Sequence, residues 1–488
     1  KESLFLNMQN GAGMNFWGVY CFFLSSPISL LVAFVNKESL ILFVNVMVVL
    51  KLMLAASSAS LFFIKCREKL NSGFVIALSL MYGLCGFGML FYQNLMWLDI
   101  MTMLPLLMIG LERLTKTGKA LYYTITLTII AILNYYLCYM TAVFIMLYMA
   151  VYYFSHPHSS ERKTVCLKFL VGTLIAAMIS AVVWLPSMIQ VKGSGRVTSV
   201  IDNIIGSNFN TSYYTVLPLL FCTAILFTII TLLILNRNQK NKDERNYLIL
   251  FALSCIPLFI EPVNLLWHTG SYMSFPARYG FITVFTGLIC CSDFLIKSGE
   301  NISIKKRKIQ YIAIPILVIM LCTAYHYIYI YIDRHYKSLT NYTSTLWGNK
   351  DSFDGLFRLC FIAVCCYFIM YMFYRFHWLS KKAFAVMMIT ACLLEGAGNI
   401  RIYMISPALN NPSRTESFIE MTKLNEKIQD DSFYRVAADT NSADYNMSGA
   451  LGYPSVSHYT SLSNYDFMKL QRQLGYSTVW MKSGGRGG

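Results

Sequence analysis

The feature that most constrains this chain is an apolar run from Phe74 to Leu111, broken only at Tyr92-Gln93-Asn94-Leu95-Met96-Trp97-Leu98-Asp99. A bilayer core is crossed by about 20 apolar residues, so a run of this length holds two helices, and the short polar interruption is where the chain turns. Lys65, Arg67 and Lys69 precede the run, and Arg113, Lys116 and Lys119 follow it. Short loops rich in Lys and Arg stay cytoplasmic, which places the turn outside. Asn94, Trp97 and Asp99 are thereby expected together at the outer membrane surface. The whole chain agrees with a membrane setting: 56% of its 488 residues are hydrophobic and 13% charged, against about 25% charged in soluble domains. Its formal net charge of +16 falls mostly in short loops between apolar runs. There it orients the protein and does not mark a nucleic-acid partner.

Applied to the rest of the chain, the same reasoning predicts an all-α polytopic membrane protein of about 12 transmembrane helices. They lie near 39–64, 71–92, 99–114, 120–136, 139–155, 166–186, 214–236, 246–261, 279–297, 309–331, 355–374 and 383–400. Alternate loops hold the basic clusters Lys65/Arg67/Lys69, Arg113/Lys116/Lys119, Arg162/Lys163/Lys168, Arg237/Lys240/Lys242/Arg245, Lys305–Lys308 and Arg375/Lys381/Lys382. All of them fall on one side. Residues 1–38 read as an outer loop with one interfacial or re-entrant helix, and 39–400 as the transmembrane domain. Residues 401–488 turn polar. Ser413-Arg414-Thr415-Glu416 has capping-box spacing, Phe433–Val436 reads as a strand, and Phe467, Leu470 and Leu474 mark an amphipathic helix. That segment is expected to be a small extracytoplasmic α+β domain, incomplete in this chain.

Few residues on the sparsely basic side carry chemistry. Asp99 is an ionisable group at membrane depth, and such a group is a functional candidate; at a helix start it also simply complements the helix dipole. The loop from Glu261 through Asn264 and His268 to Arg278 gathers a carboxylate, an amide, an imidazole and a guanidinium between two spans. Arg binds phosphate oxygens bidentately and His titrates near neutral pH; the plainer reading of Arg278 is snorkelling beside Tyr279. Lys192-Gly193-Ser194-Gly195-Arg196 and Asp202 form a flexible basic loop, either a closure over an anionic donor or a solvated connection. Asn134-Tyr135-Tyr136 and Tyr139 read as an aromatic belt. The 14 cysteines show no CxxC and no metal-ligand spacing. No cofactor is identified, and a divalent-metal requirement is left open. Walker A, GxGxxG, HExxH and GxSxG are all absent from the sequence.

Several stretches carry a family likeness. Asn94-Leu-Met-Trp-Leu-Asp99, then Leu104-Pro105-Leu106 and Gly110-Leu-Glu-Arg113, resemble the YfhO family of bacterial membrane proteins. So do Asn134-Tyr-Tyr, Trp267-His268, Phe275-Pro-Ala-Arg-Tyr279 and Gly452-Tyr-Pro-Ser-Val-Ser-His458. Gly11-Ala-Gly-Met-Asn15 and Ser25-Ser-Pro27 match its first outer loop. The family is similar to GT-C glycosyltransferases, which implies an outer-face site that takes sugar from a polyprenyl-phosphate carrier to a cell-envelope polymer such as teichoic acid. The resemblance also implies that the principal carboxylate follows a first span upstream of Lys1, so the chain reads as a fragment. On that basis Asp99 and His268 are expected as catalytic groups. Asn94, Trp97, Glu261, Asn264, Arg278 and Arg196 are expected to bind substrate, with Trp97 stacked on a sugar. Asp99, His268 and Arg278 are expected to converge on one cavity open to lipid, with Asp99 and Arg278 paired. A lipid or polysaccharide-precursor flippase and a non-catalytic envelope scaffold remain as alternatives.

Overall fold

The structure is a computed structural model that describes residues 13–36, 39–156, 161–194, 200–209, 242–272, 277–298, 350–405 and 464–474, with shorter pieces elsewhere. A missing bilayer backbone partner is expensive, so the chain satisfies its amides within helices. In order these are Phe16–Phe23 (α1), Leu40–Cys66 (α2), Ser72–Gly83 (α3), Gly86–Phe91 (α4), Leu95–Thr117 (α5), Leu121–Leu133 (α6) and Tyr135–Ser155 (α7). Arg162–Ile179 (α8), Ala181–Gly193 (α9), Val200–Ile205 (α10), Lys242–Phe259 (α11), Glu261–Trp267 (α12) and Gly280–Ser298 (α13) follow. Lys350–Arg375 (α14), Lys381–Ile405 (α15) and Tyr465–Gln473 (α16) complete the series. Sheet is nearly absent from the described residues: Leu6–Asn7 pairs antiparallel with Met14–Asn15, and His458–Tyr459 with Arg486–Gly487.

Among the described residues, 7 helical segments are long and apolar enough to cross a membrane, or up to 9 if two bent pairs each count as one span. The protein is a multi-pass membrane protein. The described residues therefore do not account for all of the expected 12 spans, for identifiable reasons. The 120–136 segment folds as the 13-residue α6, short for a full crossing. The 246–261 segment extends back to Lys242, so α11 carries Lys242, Asp243, Glu244 and Arg245 in its first turn. The 166–186 segment bends by 71° between α8 and α9. Most of 214–236 and 309–331 lies outside the described residues, as does the strand expected at Phe433–Val436. The first outer loop folds as α1 and a 3-10 helix, Pro27–Phe34, bent by 109° at the intervening Leu24–Ser26. The amphipathic helix expected around Phe467 is α16, capped by Asn464 accepting from the amides of Asp466 and Phe467.

Packing follows the small residues. α2 buries Met47, Lys51, Ala55, Ser58, Ala59 and Phe62 on one stripe and lies between α3 and α5. Gly110 lets α5 press on α6: a Cβ there would stand 2.8 Å from the Tyr123 backbone, closer than any side chain tolerates. α13 packs on α11 and α3, and α15 on α14 and α3.

The basic loops meet at one end of the bundle, here called the basic end. Arg67, just past α2, donates from Nε to Asp293 Oδ1 on α13 at 2.7 Å and from Nη1 to Glu112 Oε1 on α5 at 2.8 Å. Glu112 also accepts from Tyr247 at 2.7 Å and from Lys116 at 2.5 Å. Lys297 pairs with Glu244. Lys168 donates to the Gly118 carbonyl at 3.0 Å, and Asn246 to Ser155 at 2.9 Å. The side-by-side placement of these loops accords with the alternation of basic clusters in the sequence.

Candidate functional site

At the opposite, far end, the chain between α12 and α13 is built on unusual backbone. Thr269, Phe275 and Ala277 adopt φ of 58°, 54° and 59°, a left-handed region that side-chain-bearing residues enter at a cost of about 1–3 kcal/mol each. Gly270 is also left-handed, at φ 90°, and packs so closely that a Cβ would meet Val200 at 2.7 Å. The loop is therefore fixed by tertiary contacts, and what it fixes is Arg278.

Arg278 stands against two rings, its Cζ 5.1 Å from the Trp97 ring centroid and 5.1 Å from that of Tyr136. Its Nε donates to the Phe275 carbonyl at 3.1 Å. Trp97 is buried and meets Phe91 and Phe275 edge-on, at 5.4 and 5.6 Å between centroids. Rings engage a guanidinium through its face, so an anion held by hydrogen bonds is held at its planar, forked edge.

His268 is fully buried. Its Nδ1 lies 2.8 Å from the Asn264 carbonyl, which only accepts, so Nδ1 carries the proton. Nε2 then offers its lone pair to the backbone N–H of Arg278 at 3.4 Å. Burial, with the Arg278 charge second, pushes its pKa down to about 3. His268 is thus a neutral imidazole with both nitrogens engaged, one of them by the backbone amide of Arg278.

Glu261, at the start of α12, accepts from Tyr272 at 2.5 Å and from Asn264 Nδ2 at 3.2 Å. Burial pushes its carboxyl up from the usual range, against those hydrogen bonds. Asn264 Oδ1, the Tyr279 hydroxyl and Asn94 Nδ2 are buried atoms with no hydrogen-bond partner. Tyr279 meets the rings of both Trp267 and His268, at 4.7 and 5.7 Å. The loop thus brings Glu261, Asn264, His268, Arg278 and Trp97 into one neighbourhood.

Asp99 turns elsewhere. Successive helical residues rotate by about 100°, so Trp97 and Asp99 on α5 point about 200° apart. Asp99 accepts from Lys51 Nζ at 2.7 Å, and Lys51, 0% exposed, also donates to Ser26 Oγ and the Leu95 carbonyl, each at 3.2 Å. The expected Asp99–Arg278 pair gives way to Asp99–Lys51, and Trp97 stands against Arg278. Asn94 begins α5 and makes no side-chain cap. Arg196 lies outside the described residues.

Lys51 and Tyr272 were not singled out by sequence reasoning, and Tyr136 was read only as a belt aromatic. Lys51 had the clearest signal, a lone ammonium inside a 27-residue apolar helix. Tyr136 was hidden among belt aromatics.

Residues 1–483 match the model of the family described as bacterial membrane protein YfhO. The chain belongs to that family. The match spans the far-end site as well as the bundle. No curated protein and no solved structure matches the chain.

Proposed function

We propose that this protein is a membrane glycosyltransferase. In this reading it moves a sugar from a polyprenyl-phosphate carrier to an extracytoplasmic polymer such as teichoic acid, and the far end, with residues 401–488, faces outward. The observation that carries the reading is Arg278, held on a strained loop by the Trp97 and Tyr136 rings and by His268. Sugar transfer from a phosphate carrier builds negative charge on the departing phosphate, and a preorganised guanidinium stabilises that charge in the transition state. His268 stays neutral and so does not repel the Arg278 guanidinium it helps to place. Asn264 Oδ1 and the Tyr279 hydroxyl offer one acceptor and one donor suited to sugar hydroxyls. Asp99 acts through Lys51: the pair fixes the first turn of α5, and with it Trp97. The attacking hydroxyl needs a carboxylate base, and Glu261, already beside Asn264, is the described carboxylate of this neighbourhood.

The experiment is glycosylation of envelope polymer in cells expressing Arg278→Ala or Arg278→Lys at wild-type membrane levels, read by mass of the polymer repeat. Loss in both variants supports the reading, because a lone ammonium does not reproduce the fork. Unchanged glycosylation refutes it.

A second reading, flipping of a lipid-linked precursor, is favoured by charges buried between spans: Lys51 and Asp99 are both buried. It predicts that Arg278→Ala leaves transfer intact on precursor already outside.

A further inference from the structure

Glu395 lies inside the apolar body of the bundle, on the face of α15 that also buries Met388, Cys392 and Asn399. α15 begins at Lys381, whose Nζ lies over the Phe74 ring at the basic end. At about 1.5 Å per residue, Glu395 is about 21 Å along the helix, past the midpoint of a hydrocarbon core about 30 Å thick. Glu395 is 3% exposed and Asn399, one turn further, 1%.

The two side chains are differently provided for. Glu395 Oε2 accepts from the Tyr367 hydroxyl at 2.9 Å and Oε1 from the Ala224 amide at 3.3 Å. The buried carboxylates Asp99 and Glu112 each have a cation, as does the half-buried Asp293, whereas Glu261 and Glu395 take part in none of the ion pairs among the described residues. Neither Oδ1 nor Nδ2 of Asn399 has a hydrogen-bond partner. Side chains at i and i+4 are neighbours on one helix face, so a carboxylate and an unpartnered amide oxygen share one buried surface.

We propose that Glu395 and Asn399, with Tyr367, bind one small monovalent cation. A bare carboxylate is expensive in low dielectric, and one positive charge balances it. A divalent ion would leave net charge in the bundle, and no group of three or more His, Cys, Asp or Glu that could hold such a metal occurs among the described residues. The donors are hard oxygens, which suit an alkali cation. The helix packs closely beside the pair: a Cβ at Gly396 would meet Leu84 at 3.2 Å and one at Gly398 would meet Leu359 at 2.9 Å. A proton alone would neutralise Glu395 but leave both polar atoms of Asn399 unserved. A cation ligated by Asn399 Oδ1, with a water accepting from Nδ2, serves both. The site goes beyond the glycosyltransferase reading and does not rest on it.

The test is thermal unfolding of the purified full chain in detergent, titrated with sodium, potassium or N-methyl-D-glucamine chloride at constant ionic strength. A cation that binds only the folded state raises the midpoint saturably. Wild-type protein is expected to gain at least about 3 °C in sodium or potassium over N-methyl-D-glucamine. Glu395→Gln, nearly isosteric and neutral, is expected to abolish the gain. Asn399→Ala is expected to shift the half-saturating cation concentration upward by about tenfold, the order of one charge-assisted contact. An equal midpoint in all three salts overturns the proposal, as does a gain that survives in Glu395→Gln. Should Glu395→Gln not fold, the Asn399→Ala titration decides, and an unshifted half-saturation point overturns it.

Discussion

The two ends of the bundle use polar side chains in opposite ways. At the basic end, Glu112 accepts from Arg67, Lys116 and Tyr247, while Arg67 also donates to Asp293, tying together the ends of α2, α5, α11 and α13. Asn246 Oδ1 is an exception to this pairing. At the far end, Asn264, Tyr279 and Asn94 each bury an unpartnered polar atom, and three residues other than glycine are held left-handed, against one, His377, at the basic end. Buried polar groups without partners cost about 1–3 kcal/mol each, and a fold keeps such costs where something else is served. The contrast teaches that closed networks hold the bundle together and that the unsatisfied, strained end is the one equipped to take a ligand.

The comparison breaks first at Arg67. Replacing it with Ala leaves Glu112 one cation fewer and Asp293 without its described partner, and a broken buried ion pair costs about 3–5 kcal/mol. Arg67→Ala is expected to lower the detergent melting midpoint drastically or to prevent folded expression, with Arg67→Lys unable to span both carboxylates. A midpoint near wild type for Arg67→Ala would mean that the basic end is not a clamp.

The next effect belongs to Lys51. Lys51→Met strands Asp99 at 6% exposure and should cost about 3–5 kcal/mol, whereas Lys51→Met with Asp99→Leu should recover most of that loss. A double variant no more stable than the single would show that the loss comes from the other Lys51 contacts, to Ser26 and the Leu95 carbonyl, and not from a stranded Asp99. Either way the cycle separates scaffold from chemistry at the Lys51–Asp99 pair.

A smaller effect is pH-dependent. His268 is held near pKa about 3, below its ordinary 6.5, so the folded state binds fewer protons than the unfolded one across that window. Its contribution is complete above pH 6.5 and is lost as pH falls towards 3. Wild-type protein should therefore lose more melting temperature between pH 7 and pH 4.5 than His268→Gln does. Parallel pH curves would contradict the neutral, Nδ1-protonated imidazole.

Much of the bundle was legible because charge and hydropathy act locally. The segments expected at 39–64, 71–92, 279–297, 355–374 and 383–400 have counterparts among the candidate spans. The opposite directions of Trp97 and Asp99 were also present in their two-residue spacing, though proximity in sequence suggested a shared site. What was not legible is partner choice. Arg67 counted only as a topology charge, since nothing local says that it reaches Asp293, 226 positions away. Lys51 disappeared into the average hydropathy of its helix. The left-handed backbone at Phe275 and Ala277 has no sequence signature at all, since neither residue favours it.

The smallest expected change in stability goes with the largest expected change in binding, and both concern Arg278. Its ring contacts are worth about 0.5–1 kcal/mol each at a partly exposed site, so Arg278→Ala should fold and melt close to wild type. The most direct measurement is the thermal shift that undecaprenyl phosphate produces in purified wild-type protein and in Arg278→Ala. The account predicts a clear, saturable stabilisation of wild type that falls at least about tenfold in apparent affinity in the variant, as expected for loss of a charge-assisted phosphate contact. An equal shift in both proteins, with Arg278→Ala folded, would contradict the claim that the far end is built to hold a phosphate.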